Sequence, residues 1–306
     1  MPENTHIEMM ESLADRVPPG AKESPPDPAE LQQNAEELAK LLAWNPSVRK
    51  SDFFVARWKA MSAALRPSLD KVGANPRTPE DADDLRWIRD NMPMLWAEIW
   101  NTRNAFKLLR HLPQVRTPKG ITLPRVAAVA EAFLRVVKFE FSEQAFADYL
   151  SAFQKTTVLK FKELWALIPA MELVLLEQVA IRSRRFLENN EPAAVGICVR
   201  SLRAINELQW KEVIEPHIAF DKVLREDPAG AYAKMDFESR NFYRERLVKI
   251  AKRSDFTEVE VAFEAVALAR RAHEQNTEDP RVAARESHVG YYLIAEGEKE
   301  LRARVK

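Results

Sequence analysis

The chain has 306 residues, of which 46% are hydrophobic and 30% charged, so it has the composition of a folded protein and the length for one large or two ordinary helical cores. Its 46 Lys and Arg balance 46 Asp and Glu, and no segment shows the basic excess that nucleic-acid binding needs. Seven glycines are too few for hairpin turns and phosphate-cradling loops, and the single Cys198 excludes an internal disulfide and suits a reducing compartment.

Residues 1–26 carry Pro18, Pro19, Pro25 and Pro26 with few large apolar side chains, which predicts a disordered leader. They lack the apolar core of a secretory signal. Asp27-Pro28 then reads as an N-cap followed by a helix-starting proline, with Leu31, Leu38, Leu41 and Leu42 on one face. Ser51 caps a helix that buries Phe54, Trp58, Met61 and Leu65. Thr78-Pro79-Glu80-Asp81 opens another, which Pro93 should kink or divide. A helix is expected over 122–138. Ser142 is an N-cap with Phe141 and Phe146 as its hydrophobic staple.

A long apolar helix follows over about 160–188, interrupted by Glu172 and Glu177 and bent at Pro169. Its most apolar part falls short of the ~20 residues of a membrane span, so a buried helix is expected. The chain divides near 189–192. Short helices separated by Pro216 and Pro228 precede one capped by Asp236 and running to about Lys252. Thr257 and Glu260 form a capping box, and Asp279-Pro280 starts a loop before a polar final helix. The fold class is therefore all-α, an irregular multi-helix bundle or array. The expected divisions are a leader (1–26), an N-terminal bundle (27–190) and a C-terminal bundle (191–306).

No catalytic constellation stands out. Asp81-Ala82-Asp83 has the look of a metal-binding acid pair but falls in the first turn of a helix, where acids favour the macrodipole. Glu172 and Glu177 are five residues apart and point to different faces. None of the five histidines has metal-ligand spacing, and Cys198 reads as a core thiol. No metal, cofactor or catalytic residue is therefore assigned. Arg240, Phe242, Tyr243 and Arg244 mix aromatic and basic groups in the manner of an anion or sugar site, yet a packed face with salt-bridged arginines accounts for them more simply.

One resemblance goes beyond spacing. The segment 224–243, reading LREDPAGAYAKMDFESRNFY, and the following Arg244 resemble a motif of the cyclic β-1,2-glucan synthases, large bacterial membrane glycosyltransferases. His288-Val289-Gly290-Tyr291-Tyr292-Leu293-Ile294 is similar to that family's next signature. Weaker likenesses stand upstream in the same order: Leu123-Pro124-Arg125-Val126, Phe153-Gln154, Glu163-Leu164-Trp165-Ala166-Leu167, and Ser201-Leu202-Arg203 before Trp210-Lys211-Glu212. The likeness covers about 87–301.

In that family such a helical region precedes the membrane spans and catalytic domains, and no catalytic residue carries over to a position here. The resemblance implies a cytoplasmic, non-catalytic N-terminal or accessory module, associated with the inner membrane through a membrane glycosyltransferase partner that uses UDP-glucose. The alternative is a free-standing helical interaction protein without enzymatic activity. Neither reading calls for nucleic acid or for a span in this chain. Asp236, Arg240, Tyr243, Arg244, His288 and Tyr291 are the candidate binding residues. Two structural expectations follow. Asp236 should accept a hydrogen bond from Ser239 N–H. The segment 288–294 should be buried, with a tyrosine against the helix that starts near Asp236 and with Gly290 at a close approach or a positive φ.

Overall fold

The computed structural model describes residues 27–42, 47–74, 83–116, 122–189, 194–275 and 279–306. The expected leader, the opening Thr78–Asp81 motif, Ala82 and positions 190–192 of the division expected at 189–192 lie outside them. The fold is all-α, and the chain forms two compact units, Met1–Gln209 and Trp210–Lys306.

The first unit contains α1 (Pro28–Leu42), β1 (Ser47–Lys50), α2 (Phe53–Ala74), α3 (Asp83–Asp90), α4 (Met92–Leu109), β2 (His111–Arg116), β3 (Thr122–Pro124), α5 (Arg125–Val136), α6 (Glu143–Gln154), α7 (Phe161–Asn189) and α8 (Val195–Glu207). Helix α7 is its axis, and α2, α4, α5 and α8 all pack on it. By length and composition the stretch Phe161–Glu188 is apolar enough to cross a membrane, but 83% of its apolar window is buried inside the protein.

The caps follow the sequence. Ser142 accepts from Ala145 N, and its staple partners Phe141 and Phe146 lie with ring centroids 6.1 Å apart. Asp27 Oδ1 accepts from Ala29 N, and Ser51 Oγ from Phe53 N. Pro93 sits in the first turn of α4, so the expected division falls two residues earlier, at Asn91. Cys198 is buried and in no disulfide.

Three details differ from expectation. A small antiparallel sheet of order β1-β2-β3 is present, and its third strand takes 122–124 from the expected helix, which begins at Arg125. Leu41 is 54% exposed, because α1 buries the stripe Leu31, Ala35, Ala39 and Leu42 instead. Asp279-Pro280 opens a helix rather than a loop, with Asp279 Oδ1 accepting from Arg281 N.

Acids inside this apolar unit are held by arginines. Glu177 is gripped by the Arg57 guanidinium, and Glu163 by that of Arg125, whose Nε donates at 2.9 Å. Breaking one such pair leaves a buried charge and costs about 3–5 kcal/mol. Glu172 is different. Burial, with the charge of Glu98 adding to it, pushes its carboxyl up to about 8. Glu98 on α4 is itself raised by burial, and its Oε2 has no hydrogen-bond partner among the described residues.

The Glu172 shift has a defined sign. Its ordinary value is 4.5, so between about 4.5 and 8 the folded chain holds a proton that the unfolded chain has lost. Stability from this group is full below that window and falls as pH rises through it. Glu172→Gln removes the dependence. The variant's melting temperature relative to the parent should rise between pH 5 and pH 8.5, measured by calorimetry. An unchanged difference would refute the assignment.

Candidate functional site

The two segments that carry the family resemblance lie in the second unit. Its elements are α9 (Trp210–Ile214), a 3-10 turn (Glu215–His217), α10 (Ala219–Leu224), a second 3-10 turn (Tyr232–Lys234), α11 (Phe237–Ala251), α12 (Glu258–Glu274), α13 (Pro280–Glu286), α14 (Val289–Ile294) and α15 (Glu298–Arg304). Helix α12 is central and packs against α10, α11, α13, α14 and α15. Its start is the expected capping box, with Thr257 and Glu260 bonded reciprocally.

The residues between α10 and α11 form a tight turn. Asp227 O accepts from Gly230 N at 2.8 Å, and Gly230 takes the left-handed conformation with φ 61°. Glycine is suited there because it carries no Cβ penalty. The turn folds the backbone around the Asp227 carboxylate. Asp227 Oδ2 accepts from Ala231 N and Tyr232 N, each at 3.1 Å, and lies 2.9 Å from His288 Nδ1. Its Oδ1 accepts from Val289 N at 3.0 Å. The side chain has no solvent exposure. Burial alone would raise its pKa, but the bonds from His288, Val289 and Tyr232 outweigh that and hold it below the usual carboxylate range.

His288 then meets Tyr243. The rings lie 5.8 Å apart at 34°, with Tyr243 Oη 3.4 Å from His288 Nε2. Tyr232 packs edge-on against Tyr243 at 5.9 Å. A Cβ on Gly290 would sit 2.7 Å from the Tyr243 ring and hydroxyl and 3.0 Å from His288 Nε2. Gly290 is therefore a close-approach glycine. Its φ is not positive, so the first of the two expected reasons for it holds and the second does not.

A second network adjoins the first through Tyr232. The Tyr232 hydroxyl donates to Asp221 Oδ1 at 2.6 Å, and Arg244 Nε donates to the same oxygen at 2.8 Å. Arg225 Nε donates to Asp221 Oδ2 at 2.7 Å. Arg244 also binds Glu215, which Arg240 grips through Nε and Nη2 at 2.9 and 3.1 Å. Burial would raise the Glu215 carboxyl, but the two guanidiniums bring it below the ordinary value. Arg244 is fully buried, lies over the Phe237 ring at 5.4 Å, and leaves Nη1 without a hydrogen-bond partner among the described residues.

The six candidate residues thus separate. Arg240 and Arg244 meet at Glu215, and Tyr243 and His288 meet beside Asp227. Asp236 caps α11, accepting from Ser239 N at 2.8 Å. Tyr291 lies apart, edge-on to Tyr292 at 5.2 Å and under the Arg285 guanidinium. The segment 288–294 is largely interior, with Val289 and Leu293 at 0% exposure and Tyr292 at 4%, while Ile294 reaches the surface. The residues missed by sequence reading are Glu215, Asp221, Asp227 and Tyr232. The Asp-Pro-x-Gly turn was the available signal for Asp227.

Chemically, the arrangement orders Asp227, His288 and Tyr243 in a row. Burial and the Asp227 charge push the Tyr243 phenol up, so it stays protonated and acts as a hydrogen-bonding group rather than a nucleophile. The row binds together backbone segments 61 residues apart.

Asp227→Ala should therefore leave Ala231, Tyr232 and Val289 N–H groups unpaired inside the protein. A loss of about 3 kcal/mol or more is expected by denaturant unfolding of the second unit. Because the folded-state pKa is depressed, the contribution is present above about pH 4 and disappears as pH falls through the folded value. A variant as stable as the parent at pH 7 would show that the clamp carries no weight.

No protein-family model matches the chain. It is 22% identical over 305 residues to the cyclic beta-(1,2)-glucan synthase NdvB of Rhizobium meliloti (strain 1021), a match that covers 72% of this chain. The chain spans 11% of the length of that synthase, and the similarity supports a distant relationship to its family.

Proposed function

We propose that the chain is a non-catalytic N-terminal or accessory module of a cyclic β-1,2-glucan synthase-like glycosyltransferase. The parent enzyme would polymerise glucose from UDP-glucose. The module would serve at the cytoplasmic side of the inner membrane through that partner. The similarity to NdvB supports the relationship. The observation that carries the non-catalytic reading is the state of the polar groups in the two motif segments. Asp227, His288, Arg240 and Arg244 are bonded to one another or to Glu215, Asp221 and backbone N–H groups. Their chemistry is used in holding the fold.

Two measurements test this. Purified chain incubated with UDP-glucose should release no UDP above background. Release that one point substitution abolishes would overturn the non-catalytic role. The tagged chain, expressed in bacteria that make cyclic β-1,2-glucan, should co-purify with the membrane glycosyltransferase. Stable recovery of another protein in its place would favour a free-standing interaction protein.

A further inference from the structure

A surface of the first unit, remote in sequence from the motif segments, carries a different chemistry. Helices α2 and α4 pack together, and Trp58 Nε1 on α2 donates to Ile99 O on α4 at 2.9 Å. Along this seam arginines and tryptophans alternate. The Arg103 guanidinium lies between two indoles, 5.5 Å from Trp58 and 5.2 Å from Trp100. One helical turn back along α4, Trp96 receives Arg66 of α2 at 5.3 Å. Trp100 is 52% exposed, a large apolar surface for one residue to leave in water.

At the centre of this face the exposed charges among the described residues are basic. Among the described residues, the partners of Arg66 and Arg103 are the ring faces and the Ser62 hydroxyl, which accepts from Arg66 Nε at 2.9 Å. Lys59 is exposed on the same side of α2. Asp52 and Asp70 flank that stripe at its two ends, and the acid of α4, Glu98, is buried. A guanidinium over an indole face still has N–H groups to offer an acceptor at its edge.

We propose that the α2–α4 face docks on the anionic headgroup layer of a lipid bilayer. Indoles settle at headgroup depth, where an apolar ring and a polar N–H are both satisfied. Arginines beside them reach lipid phosphates, and anionic lipid supplies the charge that the protein withholds. A single soluble phosphate fits this face less well. The cationic groups lie in a row on two helices and do not converge on one point.

The test uses the whole chain with vesicles of phosphatidylcholine, alone or mixed with phosphatidylglycerol, read by co-sedimentation and by the emission of the tryptophans. Binding and a blue shift are expected with the anionic vesicles only. Arg66→Glu with Arg103→Glu should weaken partition by roughly tenfold or more, since each basic group near an anionic surface contributes severalfold. Trp100→Ala should weaken it and reduce the shift. Lys252→Glu with Arg253→Glu, an equal charge change on exposed residues of the second unit, should leave binding intact. If the Glu pair lowers the melting temperature, Arg66→Gln with Arg103→Gln reads out the same surface. Failure to bind anionic vesicles overturns the proposal. So does equal binding to neutral ones, equal loss in the control pair, or displacement by millimolar glycerol phosphate. None of these outcomes bears on the glycosyltransferase partnership, which the co-purification tests separately.

Discussion

Asp227 shows how the second unit is held. A carboxylate with no exposure is costly unless its oxygens are occupied. Here both are filled, by two N–H groups of the turn that follows it, one N–H of α14, and His288. These bonds bring the turn after α10 and the start of α14 to one point. The second cluster, around Asp221 and Glu215, fixes α11 against the same region through Arg240 and Arg244. Tyr232 belongs to both, since its N–H goes to Asp227 and its hydroxyl to Asp221. Short helices of five to seven residues cannot stabilise themselves. Their order comes from these ionic joints and from burial against α12.

The first unit solves a related problem with longer elements. Its central helix is apolar enough to lie in a bilayer, yet it carries Glu163, Glu172 and Glu177. Two of these meet arginines from α5 and α2, so the acids dictate which helices pack where. Such joints stabilise less than apolar packing of the same volume would, but they penalise wrong pairings heavily. Among the described residues Glu172 has no such partner, and burial raises its pKa instead. Polar crosslinks of other kinds complete the unit. Ser201 Oγ donates to Phe139 O and accepts from Phe141 N, which pins α8 to a turn where Lys138 and Phe139 both have positive φ.

What was legible in the sequence is what is decided locally. Ser142, Asp236 and Thr257 cap helices through bonds that span three residues, and each is found as read. Helical periodicity placed Phe54, Met61 and Leu65 correctly inside. The strands were not legible, because a ladder between 47–50 and 111–116 depends on pairing across the chain, and Pro113 in β2 reads as a breaker. Leu41 misled because it sits beside the true stripe, one position from Leu42, and hydrophobicity alone does not set the phase of a helix. At the candidate site the same division holds. Arg240 and Arg244 fall on one face by spacing, but Glu215, 25 and 29 residues away, is brought to them only by the fold.

This division bears on what a motif of Asp, Arg, Tyr and His signifies. Such residues suggest chemistry because they titrate, donate and accept. The same properties make them the groups that a thin core of short helices can use as joints. The two roles differ in where the lone pairs and protons go. In a working site some remain directed at a space that a substrate will fill. Around Asp227 the carboxylate oxygens point at main-chain N–H groups and His288, and the space beside Tyr243 and His288 is closed so tightly that residue 290 has no room for a Cβ. In these segments the titratable groups therefore act as joints that tie the turn after α10 and the start of α14 to one point.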